Sequence, residues 1–358
     1  MSVSASTPAA ANRRWKNRPE GSTWGDFGAD DQLGRINLLT ARKVIEGAAE
    51  VKAGRAFCLS LPLDVPGEAV LNPRRHPPKL RPTEMNGEPY INHGLKHLDP
   101  RFSDVICDDQ VQICLQYSTQ WDSLAHVGSW FDADGDGEPE MVYYNGYRAH
   151  DDIIGPGDLK LAQCGCGPGG SYAMKLGIEN MAAHPIQGRG VLVDLRAHLG
   201  DARTLVDLAS LQRIMVADRV TVEPGDMLLL HTGFADVLLS MDKKPDKARL
   251  DQSCAALDGR DPQLLQWITD SGISALIADN YAVEAHPARE FAGDGARPSL
   301  PLHEHCLFKL GLPLGELWWL GDLAAWLRKE GRSRFLLTAP PLRLPGAVGS
   351  PATPVATV

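Results

Sequence analysis

The chain has no apolar run of about 18 residues, the length a membrane-spanning helix needs, so it offers no candidate span. It has no long basic run either, and its net charge of −9 repels polyanions. Nucleic acid and an anionic membrane are therefore not expected partners. Cysteine is sparse: 7 residues, an odd number and widely scattered. That spacing argues against a disulfide framework and suits a reducing, cytoplasmic setting. Cys164-x-Cys166 lacks a second pair at zinc spacing, so structural zinc is not expected. Residues 1–14 lack the apolar core of a secretory signal and read as a flexible tail. No repeat, linker or break in composition divides the remainder, so residues 15–358 read as one domain.

What is present is globular in composition: 43% hydrophobic and 23% charged residues over 358 positions. Helical and strand patterns alternate, which means an α/β fold. Strands are predicted at 56–61, 190–195, 227–231, 273–278 and 334–338. Helices are predicted at 205–213 and 261–271, and at 41–52, where Thr40 would cap and Val44, Ile45, Ala48, Ala49 and Val51 would face the core. Residues 66–82 are rich in Pro and Arg and read as a surface loop that could cover a site.

The most informative stretch is 111–130. Val111-Gln112-Ile113-Cys114-Leu115-Gln116 alternates with a period of two, which predicts a half-buried strand. It leads into Thr119-Gln120-Trp121-Asp122, with His126 four residues on. A helical exit would bring Asp122 and His126 to one face. Such a pair can hold a divalent metal, transfer protons, or serve only as a structural hydrogen bond. Three weaker motifs accompany it. Asp132-Ala133-Asp134-Gly135-Asp136-Gly137 copies half of a calcium loop, but Tyr143 stands where the closing Glu should be, which favours a plain acidic turn. Gly165-x-Gly167-x-x-Gly170 matches a dinucleotide fingerprint without the preceding buried strand, which favours a turn before a helix at 174–183. His93 and His97 are four apart, but Gly94 and Pro100 argue against a helix, and a loop role is the better reading.

The central stretch resembles the signature of the cyclase family that includes kynurenine formamidases and isatin hydrolases, His-x-Gly-Thr-His-x-Asp-x-Pro-x-His. Thr119, Asp122 and His126 match it. Gln116 and Gln120 stand where the family has two metal-binding histidines, Ser118 replaces Gly and Leu124 replaces Pro. The resemblance runs from about Trp24 to the end, through Gly188-Arg189-Gly190, Glu223-Pro224-Gly225-Asp226, Asp279-Asn280 and Gly349-Ser350-Pro351-Ala352. It is greatest to the larger-bodied branch of the family. It implies a swivelling β/β/α domain built around a small closed, mixed β-sheet with flanking helices, an ordered C-terminus and a homodimer or larger homo-oligomer. The apolar residues 312–319 would serve as interface or as core.

The resemblance also implies a second cluster, His303-Glu304-His305 with Glu316 eleven residues after His305. Formamidase-type members have a His-His pair here, its first histidine and the late acid binding metal. Carried over, Glu304 and Glu316 join Asp122, Gln116 and Gln120 as candidate metal ligands, and His126, His305 and Asp122 are the candidate catalytic groups. If Glu304 points outward, His303 or His305 takes its place. Carboxylate and amide oxygens favour one divalent ion, manganese first, with magnesium and zinc open, over a two-zinc centre. The expected activity is metal-dependent hydrolysis of a cyclic amide, lactone or formamide as small-molecule substrate. The alternative is a metal-free cyclase or dehydratase, or a small-molecule binder. Trp121, Trp130, Trp318 and Trp319 would line an aromatic pocket or, as tryptophans usually do, fill the core.

Overall fold

The computed structural model describes residues 14–167, 169–291 and 293–358. The expected tail falls outside the described residues except for Arg14, whose guanidinium pairs with Asp30 at 2.7 Å. The sheet's strands in chain order are β1 (Ala56–Cys58), β2 (Gln120–Asp122), β3 (Gln187–Asp194), β4 (Met227–His231), β5 (Ala275–Ala278), β6 (Leu314–Glu316), β7 (Arg334–Thr338), β8 (Gly349–Pro351) and β9 (Val355–Thr357). They lie in the order β1-β9-β7-β3-β4-β5-β6-β2-β8. From β3 to β6 the strands are parallel, and every pairing outside that block is antiparallel.

The parallel block follows from its residues. Val191 to Val193, Met227 to Leu230 and Ala275 to Ala278 are continuous apolar runs, as strands covered on both faces require. Their period of two sorts the side chains into two cores. Val191, Val193, Leu228, Leu230, Leu276 and Ala278 enter one; Leu192, Met227, Leu229, Ala275 and Ile277 enter the other. The sheet is large, curled and open rather than small and closed. The reason is in the pairing: β1 bonds only β9, β8 bonds only β2, and the two edges do not meet. The C-terminus is ordered, with β9 seated between β1 and β7.

Helix α1 (Ala41–Ala48) is shorter than predicted and turned the other way. Ile45 is 69% exposed, while Lys43 and Gly47 are buried. Gly47 packs on β3, where a Cβ would lie 2.7 Å from the Gly188 carbonyl carbon. Lys43 then reaches the buried carboxylate of Asp226 at 3.1 Å, which Arg189 also holds through two bonds of 2.8 and 3.0 Å. An ion pair and a close backbone approach thus override apolar periodicity. The predicted strand at 111–116 is also displaced. Asp109–Gln112 forms an exposed ribbon strand paired with Lys79–Pro82, and the chain enters the core only after it. No residue from 73 to 116 is buried. Residues 312–319, by contrast, are core apart from half-buried Trp319, and supply no free interface. Cys164 and Cys166 form a disulfide, and Cys58, Cys107, Cys114, Cys254 and Cys306 are free, so no disulfide framework is present among the described residues.

At the C-terminal ends of the parallel strands, His231 Nδ1 bonds Asp194 at 2.8 Å, with Asp236 and Asp279 each 3.9 Å from Nε2. Burial works against the imidazolium, but the bond to Asp194 and the neighbouring carboxylates outweigh it and raise its pKa to about 9.

Two outcomes are expected. Asp226→Ala should cost about 3 kcal/mol in urea denaturation, because it leaves two cations short of a buried partner while Glu46 and Glu223 remain. The stability that His231 contributes should be fully present below its unfolded pKa of about 6.5. It should be lost as pH rises through about 9, a slope that His231→Gln flattens.

Candidate metal centre

Antiparallel pairing of β2 with β6 sets Gln120 opposite Glu316 and Asp122 opposite Leu314. The strand period puts Gln120 and Asp122 on one face and Trp121 on the other. Trp121 is core, edge-on to Trp318 at 5.0 Å, and Trp318 Nε1 donates to the Gln120 carbonyl at 3.0 Å. Thr119 pins the strand's start: its hydroxyl donates to the Leu317 carbonyl at 2.6 Å and accepts from the Leu61 amide at 2.9 Å. Two of the four tryptophans are therefore structural, Trp319 bonds Asp236, and Trp130 is 68% exposed.

The third wall is the helical turn Pro301–His303, which runs on into the π-turn Glu304–Lys309. Buried Glu284 fixes its start. Its carboxylate accepts from the Leu302 and His303 amides, both at 3.0 Å, and bonds His303 Nδ1 at 2.8 Å. Gly259 leaves the room that this carboxylate occupies. With Nδ1 engaged, Nε2 faces Glu316 Oε1 at 3.1 Å and Asp122 Oδ2 at 3.9 Å. A carboxylate that fixes one ring nitrogen and aims the other is how metal-binding histidines are usually oriented.

Gln120 Nε2 donates to Asp122 Oδ1 at 3.1 Å and lies 3.5 Å from Glu316 Oε2. Asp122 Oδ2 and Gln120 Oε1 are buried with no hydrogen-bond partner. His126 Nε2 sits 3.9 Å from Asp122 Oδ1, from a turn rather than a helix. Its side chain is 21% exposed, whereas that of Asp122 is fully buried and those of His303 and Glu316 are nearly so. Burial raises the Asp122 pKa and the Glu316 charge adds to it, with the two histidines opposing. Glu316 is equally buried, yet its bond to His303 and that ring's charge hold it below the usual value. Burial disfavours the His303 cation, but Glu284 and Glu316 outweigh it and raise the ring to about 10.

These residues fit one divalent cation. The ligand atoms of Asp122, His303 and Glu316 lie within 4.8 Å of one another, and the orphaned oxygens of Asp122 and Gln120 lack a positive partner. Two carboxylates and an imidazole suit manganese, zinc or iron-type ions.

Of the residues singled out in the sequence, Gln120, Asp122, His126 and Glu316 come together. Glu304 and His305 do not. Consecutive helical residues point about 100° apart, and Glu284 selects His303 as the inward one. Glu304 accepts from the Ser129 hydroxyl at 2.7 Å. His305 Nε2 meets the Thr269 hydroxyl at 2.9 Å, and burial, with Lys309 and Arg35 nearby, lowers its pKa to about 4. Gln116 sits in the turn before β2 against Gly349, and its side chain bonds none of the cluster. Sequence reasoning did not reach Glu284, which orients His303. The only signal for Glu284 was an acid five residues after Asp279 at a strand exit.

The remaining motifs lie elsewhere. Asp132, Asp134 and Asp136 cluster, but their oxygens accept amides of their own turn. The Gly165 motif follows a 3-10 turn, Leu159–Gln163, not a strand. His93 and His97 touch edge-on within the exposed ribbon.

Residues 57–285 match the family described as "Putative cyclase". The crystal structure of a novel cyclase superposes with a TM-score of 0.70 at 29% identity, covering 94% of this chain and 97% of that one. Isatin hydrolase A from Labrenzia aggregata, bound to benzyl benzoate, gives 0.53 at 12% identity over 88% of this chain and 98% of its own. Isatin hydrolase A from Ralstonia solanacearum gives 0.53 at 13% over 84% and 91%. No curated protein shows significant similarity. Since the family match spans well over half of the residues, and the fold extends it over nearly the whole chain, this protein belongs to the cyclase family.

Proposed function

We propose that the protein is a metal-dependent hydrolase that opens a cyclic amide or lactone, or cleaves a formamide. One observation carries the reading: His303, aimed by Glu284, presents Nε2 to two buried carboxylates, one of which has an oxygen bonded to nothing. Asp122, His303 and Glu316 would hold the ion, with the Gln120 oxygen as a further neutral donor. A bound divalent cation would supply Lewis acidity and a water of lowered pKa.

The chain's own groups divide the remaining work. Glu284 keeps His303 from turning, so that Nε2 stays available. His126 is the member of the cluster with accessible surface, and its Nε2 can take a proton from the attacking water and return it to the leaving nitrogen or oxygen. Asp122 lies beside it, with Oδ1 3.9 Å from Nε2. The fold is shared with isatin hydrolases, so isatin, a cyclic amide, is the first substrate to try.

A second reading has its own support. Gln120 places an amide donor between Asp122 and Glu316, and with the His303 cation this holds both carboxylates without an ion. The protein would then be a metal-free cyclase or dehydratase acting through His126.

Elemental analysis with activity before and after chelation separates the two. The hydrolase reading expects about one equivalent of divalent metal and hydrolysis of isatin, a simple lactone or an N-formyl amine that chelation abolishes and manganese restores. His303→Ala should lose the metal. His126→Ala should keep it and lose roughly a hundredfold in kcat. Activity that survives complete metal removal would decide for the metal-free reading. Two equivalents of tightly bound zinc would contradict the mononuclear donor set.

A further inference from the structure

Three residues beside the centre hold backbone angles that residues other than glycine rarely adopt. Ala282 (φ 72°) and Val283 (φ 58°) precede Glu284, and Leu317 (φ 56°) follows Glu316. Left-handed angles are uncommon for any residue with a Cβ, and for a β-branched one such as valine they are outliers. They persist only where the surroundings impose them. Here they flank the two carboxylates that grip His303, Glu284 on Nδ1 at 2.8 Å and Glu316 on Nε2 at 3.1 Å.

One buried residue bonds both strained segments. Asn280, just beyond β5, donates from Nδ2 to the Ala255 carbonyl at 3.1 Å and to the Val283 carbonyl at 3.4 Å. These bonds tie the turn to the short strand Ala255–Leu257. The Asn280 backbone carbonyl accepts from the Leu317 amide at 3.1 Å. Its neighbours seat the turn. Asp279 accepts from the Thr232 hydroxyl at 2.6 Å, the Thr232 amide at 2.7 Å and the Gly233 amide at 2.8 Å. The Val283 carbonyl also accepts from the Leu257 amide at 3.3 Å, and the Ala285 amide donates to the Leu257 carbonyl at 2.9 Å. With its N–H groups on two carbonyls, Asn280 leaves Oδ1 buried and without a partner. A residue that only filled space would avoid that cost.

We propose that Asn280 is a positioning residue for the centre. By closing the turn 280–283 it sets the direction in which Glu284 leaves the chain. Through the Leu317 amide the same turn fixes the end of β6, which carries Glu316. Asn280 touches neither ion nor substrate, and acts through these two acids on the angle at which His303 Nε2 is presented. Its effect on metal affinity rests on the metal-dependent reading above, whereas its effect on the turn does not. The role belongs to the amide N–H groups, which alanine lacks. A glycine at 283 needs no such support, because it adopts a positive φ unaided.

The test compares full-length native protein with N280A, V283G and N280A/V283G. Manganese binding is titrated by electron paramagnetic resonance. N280A should weaken it about tenfold or more, as loss of a group that orients a ligand does. V283G should bind close to native, and adding N280A to it should cost far less than N280A costs alone. Hydrogen exchange on metal-free protein reads the turn directly. Leu302 and His303, whose amides Glu284 accepts, should lose protection in N280A and regain it in N280A/V283G. Met227–His231 reports any change in global stability, against which that loss is measured. Native-like manganese affinity together with native-like protection in N280A would overturn the proposal. So would an equal loss from N280A with and without V283G, which is what plain loss of packing predicts. If the native protein binds no manganese, the metal-dependent reading fails by itself, and the exchange comparison alone decides for or against Asn280.

Discussion

The pairing of β2 with β6 is the constraint on which the site depends. It brings Asp122 and Glu316, two carboxylates with almost no exposed surface, to one face of the sheet near its β8 edge. Taking an ionised carboxylate out of water costs several kcal/mol even after relaxation. A strand that served only packing would carry apolar residues at these two positions, as β3, β4 and β5 do at theirs. The fold instead surrounds the carboxylates with compensating groups: His303 from the Pro301–His303 turn, the Gln120 amide from the same strand and, farther out, the Arg75 guanidinium. These compensate only in part, since one Asp122 oxygen stays unbonded.

Glu284 supplies the next link. It is itself a buried acid, and its carboxylate is satisfied by two backbone amides and the His303 ring. Those bonds set the rotation of the turn, and with it which of His303, Glu304 and His305 faces inward. A residue that would never touch substrate therefore decides the composition of the centre. The same logic operates at the neighbouring strand ends, where Asp194 fixes His231. Imidazoles held by carboxylates recur along the C-terminal edge of the parallel block.

The sequence made the central strands legible because their apolar runs are long and bounded by turn residues. Met227–His231 and Arg334–Thr338 lie where the pattern puts them, and Asp261 caps Pro262–Ser271. The family resemblance picked out Asp122, Gln120, His126 and Glu316, and the fold brings these four side chains together. What it could not reveal depends on contacts distant in the chain. The rotation of α1 answers to Asp226, more than 180 residues away, which Lys43 must reach. The period-two run at 111–116 is real, but its partner is another ribbon strand rather than the core, and a pattern of alternation does not say which face is covered. The choice of His303 over Glu304 and His305 needed Glu284. A closed sheet needed two edge strands to meet, and short β1 and β8 end the sheet instead.

Gln120 brings these strands of argument together. A histidine in its place would offer one nitrogen lone pair toward an ion and would compete with His303 for the same carboxylates. An amide offers both polarities from one neutral group. Its N–H side lies against Asp122 and Glu316, while its oxygen is buried and bonded to nothing. A buried amide oxygen left unpaired forfeits about 1–3 kcal/mol of hydration, so the position is held at a cost that packing does not explain. Two acids and one imidazole already supply charge and one strong nitrogen donor. Adding a second imidazole would shift the donor set toward zinc, whereas adding an amide keeps it hard and oxygen-rich. On the metal-dependent reading proposed above, the glutamine would change which ion is preferred rather than remove the centre.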